Sequence, residues 1–234
     1  MFRLDVPPQG SRDKRQPHQL PPGRHGLPRT FVVSNQRERI LSAVAYVTSA
    51  ASYSEMSVED IIVTAGVSRR TFYEHFKNKE DVFLAAYDAV AGQLAQDVLG
   101  AVEAADTFAD QCAAGLRCFL EFVASEPAFA RMCIVEVLAA GPEAIKRRND
   151  TMSAFAALIH HKAEELLEGR IPPSLTAETV VGGIYEVVYT RVLRGEIQDL
   201  PRLLPDLIYS SLLPYMGVEA AREERARLPE ARAA

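Results

Sequence analysis

The stretch from Met56 to Phe83, Met-Ser-Val-Glu-Asp-Ile-Ile-Val-Thr-Ala-Gly-Val-Ser-Arg-Arg-Thr-Phe-Tyr-Glu-His-Phe-Lys-Asn-Lys-Glu-Asp-Val-Phe, decides the fold. It reads as two short helices around a Gly-Val-Ser turn. Ser57 is placed to cap the first, with Asp60 three residues on in place of the Glu or Gln of a capping box; Ile61, Ile62 and Ala65 form an inward face. Gly66 stops that helix, and Ser68 is placed to cap the second. In the second helix Phe72 and Phe76, four apart, point inward, while Arg69, Arg70 and Thr71 face outward from the first turn. Such a helix-turn-helix, with arginines at the start of its second helix, suits the major groove, where guanidinium forks match guanine N7 and O6.

Working outward, the rest of the chain is also helical. A first helix is expected from near Asn35, with Glu38 completing a capping box, to about Ala51. Asn78 is placed to cap a fourth helix carrying Val82, Phe83, Ala86, Val90 and Leu94 at helical spacing. Breakers such as Pro127, Gly141-Pro142, Pro172-Pro173 and Gly195 divide the remainder into helices near 107–125, 128–139, 143–169, 176–194 and 201–215. The expected fold class is all-α: a three-helix helix-turn-helix head at 31–80 and a larger helical body at 81–216. Residues 1–30 hold six of the fourteen prolines and six Lys or Arg against two acids, and read as a disordered basic arm. Arg24 and Arg29 in that arm are candidates for minor-groove contacts. Residues 217–234 read as a charged tail, with a turn or two of helix at 220–227.

The net charge of −5 looks wrong for a nucleic-acid binder until it is divided along the chain. Residues 31–80 balance six basic against six acidic side chains, and the excess acid, twenty-three against fourteen, belongs to residues 81–234. The local field at a docking surface matters more than the total. No apolar run is long enough for a membrane span and no signal-peptide core stands at the N-terminus, so a cytoplasmic location is expected. Cys112, Cys118 and Cys133 lack C-x-x-C spacing and read as small apolar groups; no metal or other cofactor is expected.

The run Ala65-Gly66-Val67-Ser68, then Thr71-Phe72-Tyr73, His75-Phe76 and Lys79-Glu80, resembles the DNA-binding signature of TetR/AcrR-type transcriptional regulators. The resemblance implies a dimeric repressor that leaves its operator when a small molecule binds. It also implies that Tyr73, His75 and Lys79 hold phosphates. Arg69, Arg70 and Thr71 are then the base readers, and the amide ends near Ser57 and Ser68 suit phosphate as well. Glu74 departs from this set: it repels phosphate or selects cytosine N4.

Beyond residue 90 the resemblance is architectural. Phe119, Phe122, Met132, Met152, Phe155, Tyr185 and Tyr189 are candidates to line an apolar inducer pocket or serve equally as plain core, and Glu186 is the polar candidate there or at an interface. Segments 176–194 and 201–215, rich in Val and Leu and containing Gly182-Gly183, carry more apolar surface than intrachain packing needs. They fit a four-helix homodimer interface. Two other classes compete with the regulator. An enzyme would have to build on His160-His161 and Glu164-Glu165, where no further ligand spacing supports a metal and a solvated helix face is the simpler reading. A helical small-molecule carrier or interaction module would keep the head without using it.

Overall fold

The computed structural model describes residues 29–169 and 171–228, and among them every regular element is helical. The helices are α1 (Arg29–Glu55), α2 (Val58–Ala65), α3 (Arg69–His75), α4 (Lys79–Glu103), α5 (Phe108–Ser125), α6 (Pro127–Ile134), α7 (Pro142–Leu166), α8 (Leu175–Arg194) and α9 (Leu204–Arg227). Two 3-10 segments, Glu136–Leu138 and Ile197–Leu203, precede α7 and α9.

α1 starts earlier than expected. Asn35 lies inside it, so the capping box of Asn35 and Glu38 does not form; no Gly or Pro separates Arg29 from Asn35 to delay the helix. Arg24 lies outside the described residues, as does the arm up to residue 28, and Arg29 is the first residue of α1. Near its end α1 is broken at Ser52, whose φ of 67° and ψ of 160° fall in a region that side chains rarely adopt. The expected helix at 128–139 is α6 plus a 3-10 turn. That at 201–215 begins as a 3-10 segment with Pro201 inside it, and Pro205 suits the first turn of α9. α9 bends at Gly217 (φ 79°) and continues through the charged stretch to Arg227. That stretch is held to the body: Ala221 is buried, Arg225 pairs with Asp206 at 2.7 Å, and Arg227 pairs with Asp110.

The head core centres on Ile40, Val44, Met56, Ile61, Phe72 and Phe83, all essentially inaccessible to water. It does not close on itself. Met132, Val137, Ala140 and Ala144 belong to the same cluster, so α6, the first 3-10 turn and the start of α7 support the head from below. Truncating Phe72 or Phe83 to Ala would cost about 3–5 kcal/mol. A second core, around Leu120, Val123, Val188, Val192, Leu200, Ile208 and Leu212, joins α5, α8, the second 3-10 segment and α9. α4 links the two: its first turns pack in the head and its later turns lie along α5.

Candidate nucleic-acid interface and ligand cavity

Local chemistry fixes the turn. Ser57 Oγ accepts from the Asp60 amide at 3.2 Å while Asp60 Oδ2 accepts from the Ser57 amide at 2.9 Å, a reciprocal capping box. The Ser57 hydroxyl, donating to Asp60 Oδ2 at 2.6 Å, and then the Ser57 amide hold the Asp60 carboxyl below its ordinary range. Gly66 closes α2 with φ 60°, a left-handed conformation that favours glycine. Arg39 reaches from α1 to clamp this end, donating to the carbonyl of Gly66 at 2.8 Å and to that of Ala65. Ser68 Oγ then accepts from the Thr71 amide at 3.0 Å and α3 begins.

α3 buries Phe72 and presents the rest. Arg69 and Arg70 are among its most exposed side chains, and each is already paired: Arg69 with Glu59 at 3.5 Å, Arg70 with Glu74 at 2.9 Å. Glu74 therefore stands first as Arg70's partner, and Glu59 is a participant that the sequence reading did not single out. Exposed ion pairs of this kind are worth about 0–1 kcal/mol, so a guanine edge can displace them. Tyr73 is half-exposed beneath the Arg69 guanidinium. Thr71 shares its hydroxyl with Ser68 at 2.8 Å, so a base contact through that oxygen requires it to turn. His75 is half-buried beside Phe76. Lys79 is partly engaged: its ammonium donates to the carbonyl of Tyr53 at 3.1 Å and stands 4.6 Å above that ring. At Ser57 the capping box already uses two of the polar groups assigned to phosphate, and it places an acid there.

Below the head, α4, α5, α6, α7 and α8, with Ile208 and Ser211 of α9, line a cavity of about 190 Å³. Its wall on α4 runs from Tyr87 to Val102, roughly 22 Å at the helical rise. The cavity is long, narrow and almost wholly apolar. Phe119, Phe122, Met152, Phe155 and Tyr185 all line it. Met132 does not; it is fully buried in the head core. Glu186 and Tyr189 also lie outside the lining. On α8 the cavity face is Val180, Val181, Ile184 and Tyr185; Glu186 follows with a rotation of about 100° and is exposed, while the Tyr189 ring stacks on Tyr185 at 6.2 Å.

Besides Gln111, Ser211 and Lys162, the last paired with Glu165, the polar lining groups stand around Tyr87 at the end nearer the head. Tyr87 donates to Thr151 at 3.2 Å, and burial pushes its phenol up to about 12, so it remains a donor at neutral pH. Tyr185 donates to the Ile134 carbonyl at 2.6 Å, and the Arg148 guanidinium lies over the Tyr185 ring at 3.8 Å. Cys112 and Cys133 line the cavity as free thiols pushed up to about 12 by burial; Cys118 is free as well. Arg148 and Glu136 escaped the sequence reading. Glu136, only 4% exposed, accepts from the Tyr53 amide at 2.8 Å and pairs with Arg131 at 3.2 Å, joining the body to the end of α1. A lone acid inside the apolar run Ile134-Val135-Glu136-Val137-Leu138 was its one visible signal.

His160 and His161 pair only with Glu164 and Glu165 on the same helix face, and no cluster of His, Cys, Asp or Glu able to hold a metal stands among the described residues. No helix among them is long and apolar enough to cross a membrane.

Residues 40–86 match the family model of bacterial regulatory proteins of the tetR family. The chain carries a TetR-type DNA-binding domain. The chain's sequence is similar to the HTH-type transcriptional regulator EthR of Mycolicibacterium smegmatis, 26% identical over 178 residues, which cover 74% of this chain and 80% of that one. It shares its fold with the fatty acid degradation regulator FadR of Bacillus halodurans, with a TM-score of 0.69 at 20% identity, over 79% of this chain and 96% of the other. It is similar again to FadR of Bacillus subtilis, solved in complex with stearoyl-CoA, with a TM-score of 0.66 at 21% identity, over 78% and 99% of the two chains. The matched segment spans α1 from Ile40, the whole helix-turn-helix and the first turns of α4.

Proposed function

We propose that this regulator works as a homodimeric repressor that lays α3 of each subunit in the major groove and leaves its operator when an elongated apolar effector fills the cavity. One observation carries the reading: α4 begins at the helix-turn-helix and goes on to form the cavity wall, so what fills the cavity bears on the helix that positions the head. The shape of the cavity supports an acyl chain as effector, in keeping with the stearoyl-CoA bound to the Bacillus subtilis relative.

Dimerisation rests on α8 and α9. A Cβ built on Gly182 or Gly183 meets nothing within 4 Å, so the close approach that a glycine pair permits is open to a second subunit. Leu175, Leu193, Leu213 and Val218 also stay exposed on these helices. Two recognition helices then sit about 34–36 Å apart on successive grooves.

In this reading Arg69 and Arg70 select bases, Thr71 assists, and Tyr73, His75 and Lys79 hold phosphates, with the helix ends at Ser57 and Ser68 beside them. Binding to randomised duplexes tests it. Arg69→Ala and Arg70→Ala should each relax preference at particular base pairs, by about 1–3 kcal/mol, while Lys79→Ala weakens binding to all sequences and lessens the salt slope. If all three variants changed binding in the same sequence-independent way, the division into readers and anchors would be wrong.

A further inference from the structure

The polar end of the cavity has a feature that an acyl thioester does not require. Arg148 lines the cavity, yet among the described residues no carboxylate pairs with it; its terminal nitrogen donates to Asn149 Oδ1 at 2.9 Å, and its Nε is buried without a partner. Its neighbours Arg147 and Lys146 are both neutralised, by Asp88 with Glu143 and by Asp150. A guanidinium facing an apolar chamber is costly unless something compensates it, and Tyr185 supplies a neutral hydrogen-bonding hydroxyl and, at 3.8 Å, the modest attraction of an aromatic face, but no counter-charge. Around it stand three hydroxyls, those of Tyr87, Thr151 and Tyr185, whose protons are now given to Thr151 and to the carbonyls of Arg147 and Ile134. A planar cation with spare donors, ringed by hydroxyls that can redirect a proton, matches the two oxygens of a carboxylate.

We propose that the effector is a free long-chain carboxylic acid whose carboxylate pairs with Arg148 while its alkyl chain runs along α4 toward Val102. This rests on the reading of the cavity as the effector site. A thioester carbonyl is neutral and would leave the guanidinium without a counter-charge; a bare carboxylate supplies it. Arg148 is thus the specificity-determining residue for the end group, and the apolar walls set the chain. The hydroxyl of Tyr185, bonded to Ile134 two residues before Glu136, puts the same end of the cavity next to the contact that reaches the head.

The test uses the full-length dimer and three ligands of equal chain length: hexadecanoic acid, hexadecanol and hexadecanoyl-CoA, each measured by calorimetry and by release of labelled operator. The acid should bind about tenfold or more tightly than the alcohol and the thioester, as a charge-assisted pair implies. Arg148→Met should erase that preference and leave alcohol affinity within about twofold, while Arg148→Lys should keep part of it. Equal affinity of the wild type for acid and alcohol, tighter binding of the thioester, or a preference that survives Arg148→Met would overturn the assignment of the end group while leaving the cavity as the effector site. Failure of all three ligands to bind would overturn both.

Discussion

Cys112 and Cys133 place their thiols in the cavity wall, where burial pushes both up to about 12, and the buried Tyr87 phenol is pushed to about the same value. In each case the native state holds its proton beyond the point where the unfolded chain gives it up. Above about pH 9 the unfolded thiols bind fewer protons than the native ones, so stability present below that pH is lost as pH rises toward about 12. Urea midpoints should therefore fall steadily between about pH 8 and about pH 11, and a Cys112→Ala, Cys133→Ala double variant should show a shallower fall. Unchanged steepness in the double variant would mean that the thiols are not buried as described. At this scale much of the head was legible from sequence, because Ser57 with Asp60, Ser68 with Thr71, and Gly66 act over three or four positions. Arg148 was not. It sits in Arg147-Arg148-Asn149, which looks like any charged helix face, and only the arrival of Tyr185 from α8 singles it out. Glu136 and Glu186 make the same point in opposite directions: each is an acid in an apolar run, yet the first is buried on a partner from α1 and the second is exposed.

At the level of elements, the junction of α1, the first 3-10 turn and α4 converges on Tyr53. Its amide donates to Glu136, its carbonyl accepts from Lys79, and its ring meets Phe83 edge-on at 4.9 Å. One residue away Ser52 breaks α1 with a positive φ, a strained conformation held by its surroundings. Lys79, the proposed phosphate contact, is therefore also part of the junction. Glu136→Gln keeps the shape but weakens the pair with Arg131, itself about a third exposed, and its cost should lie near the lower end of the range for a broken buried pair, about 3 kcal/mol. Operator affinity of the effector-free variant should change little, while the effector's power to release DNA should drop several-fold. Full release by effector in a folded Glu136→Gln variant would remove this junction from the path between cavity and head. The helix count and the breakers were readable in the sequence. The early start of α1 and the 3-10 segments were not, since they depend on which residues the neighbouring elements hold in place.

For the whole molecule, the proposed pairing would decide affinity. One head contributes a seven-residue helix, and in the proposed dimer a second head would act at the effective concentration that the pairing sets. Gly182→Leu should fill the space that a partner's helix requires, leave the monomer fold intact because nothing in the subunit lies within 4 Å of that position, and yield monomers in sedimentation velocity. Operator affinity should then drop about a hundredfold or more. A dimer that persists with unchanged affinity would place the interface on another face.

The central claim is that cavity and operator oppose each other through α4, and thermodynamic reciprocity tests it most directly. Effector affinity would be measured by calorimetry for the free dimer and for the dimer saturated with operator, beside operator affinity with and without effector. The two ratios should agree, with each ligand weakening the other by the same factor, somewhere between about fivefold and about 150-fold. Identical effector affinity for free and DNA-bound protein would contradict the account.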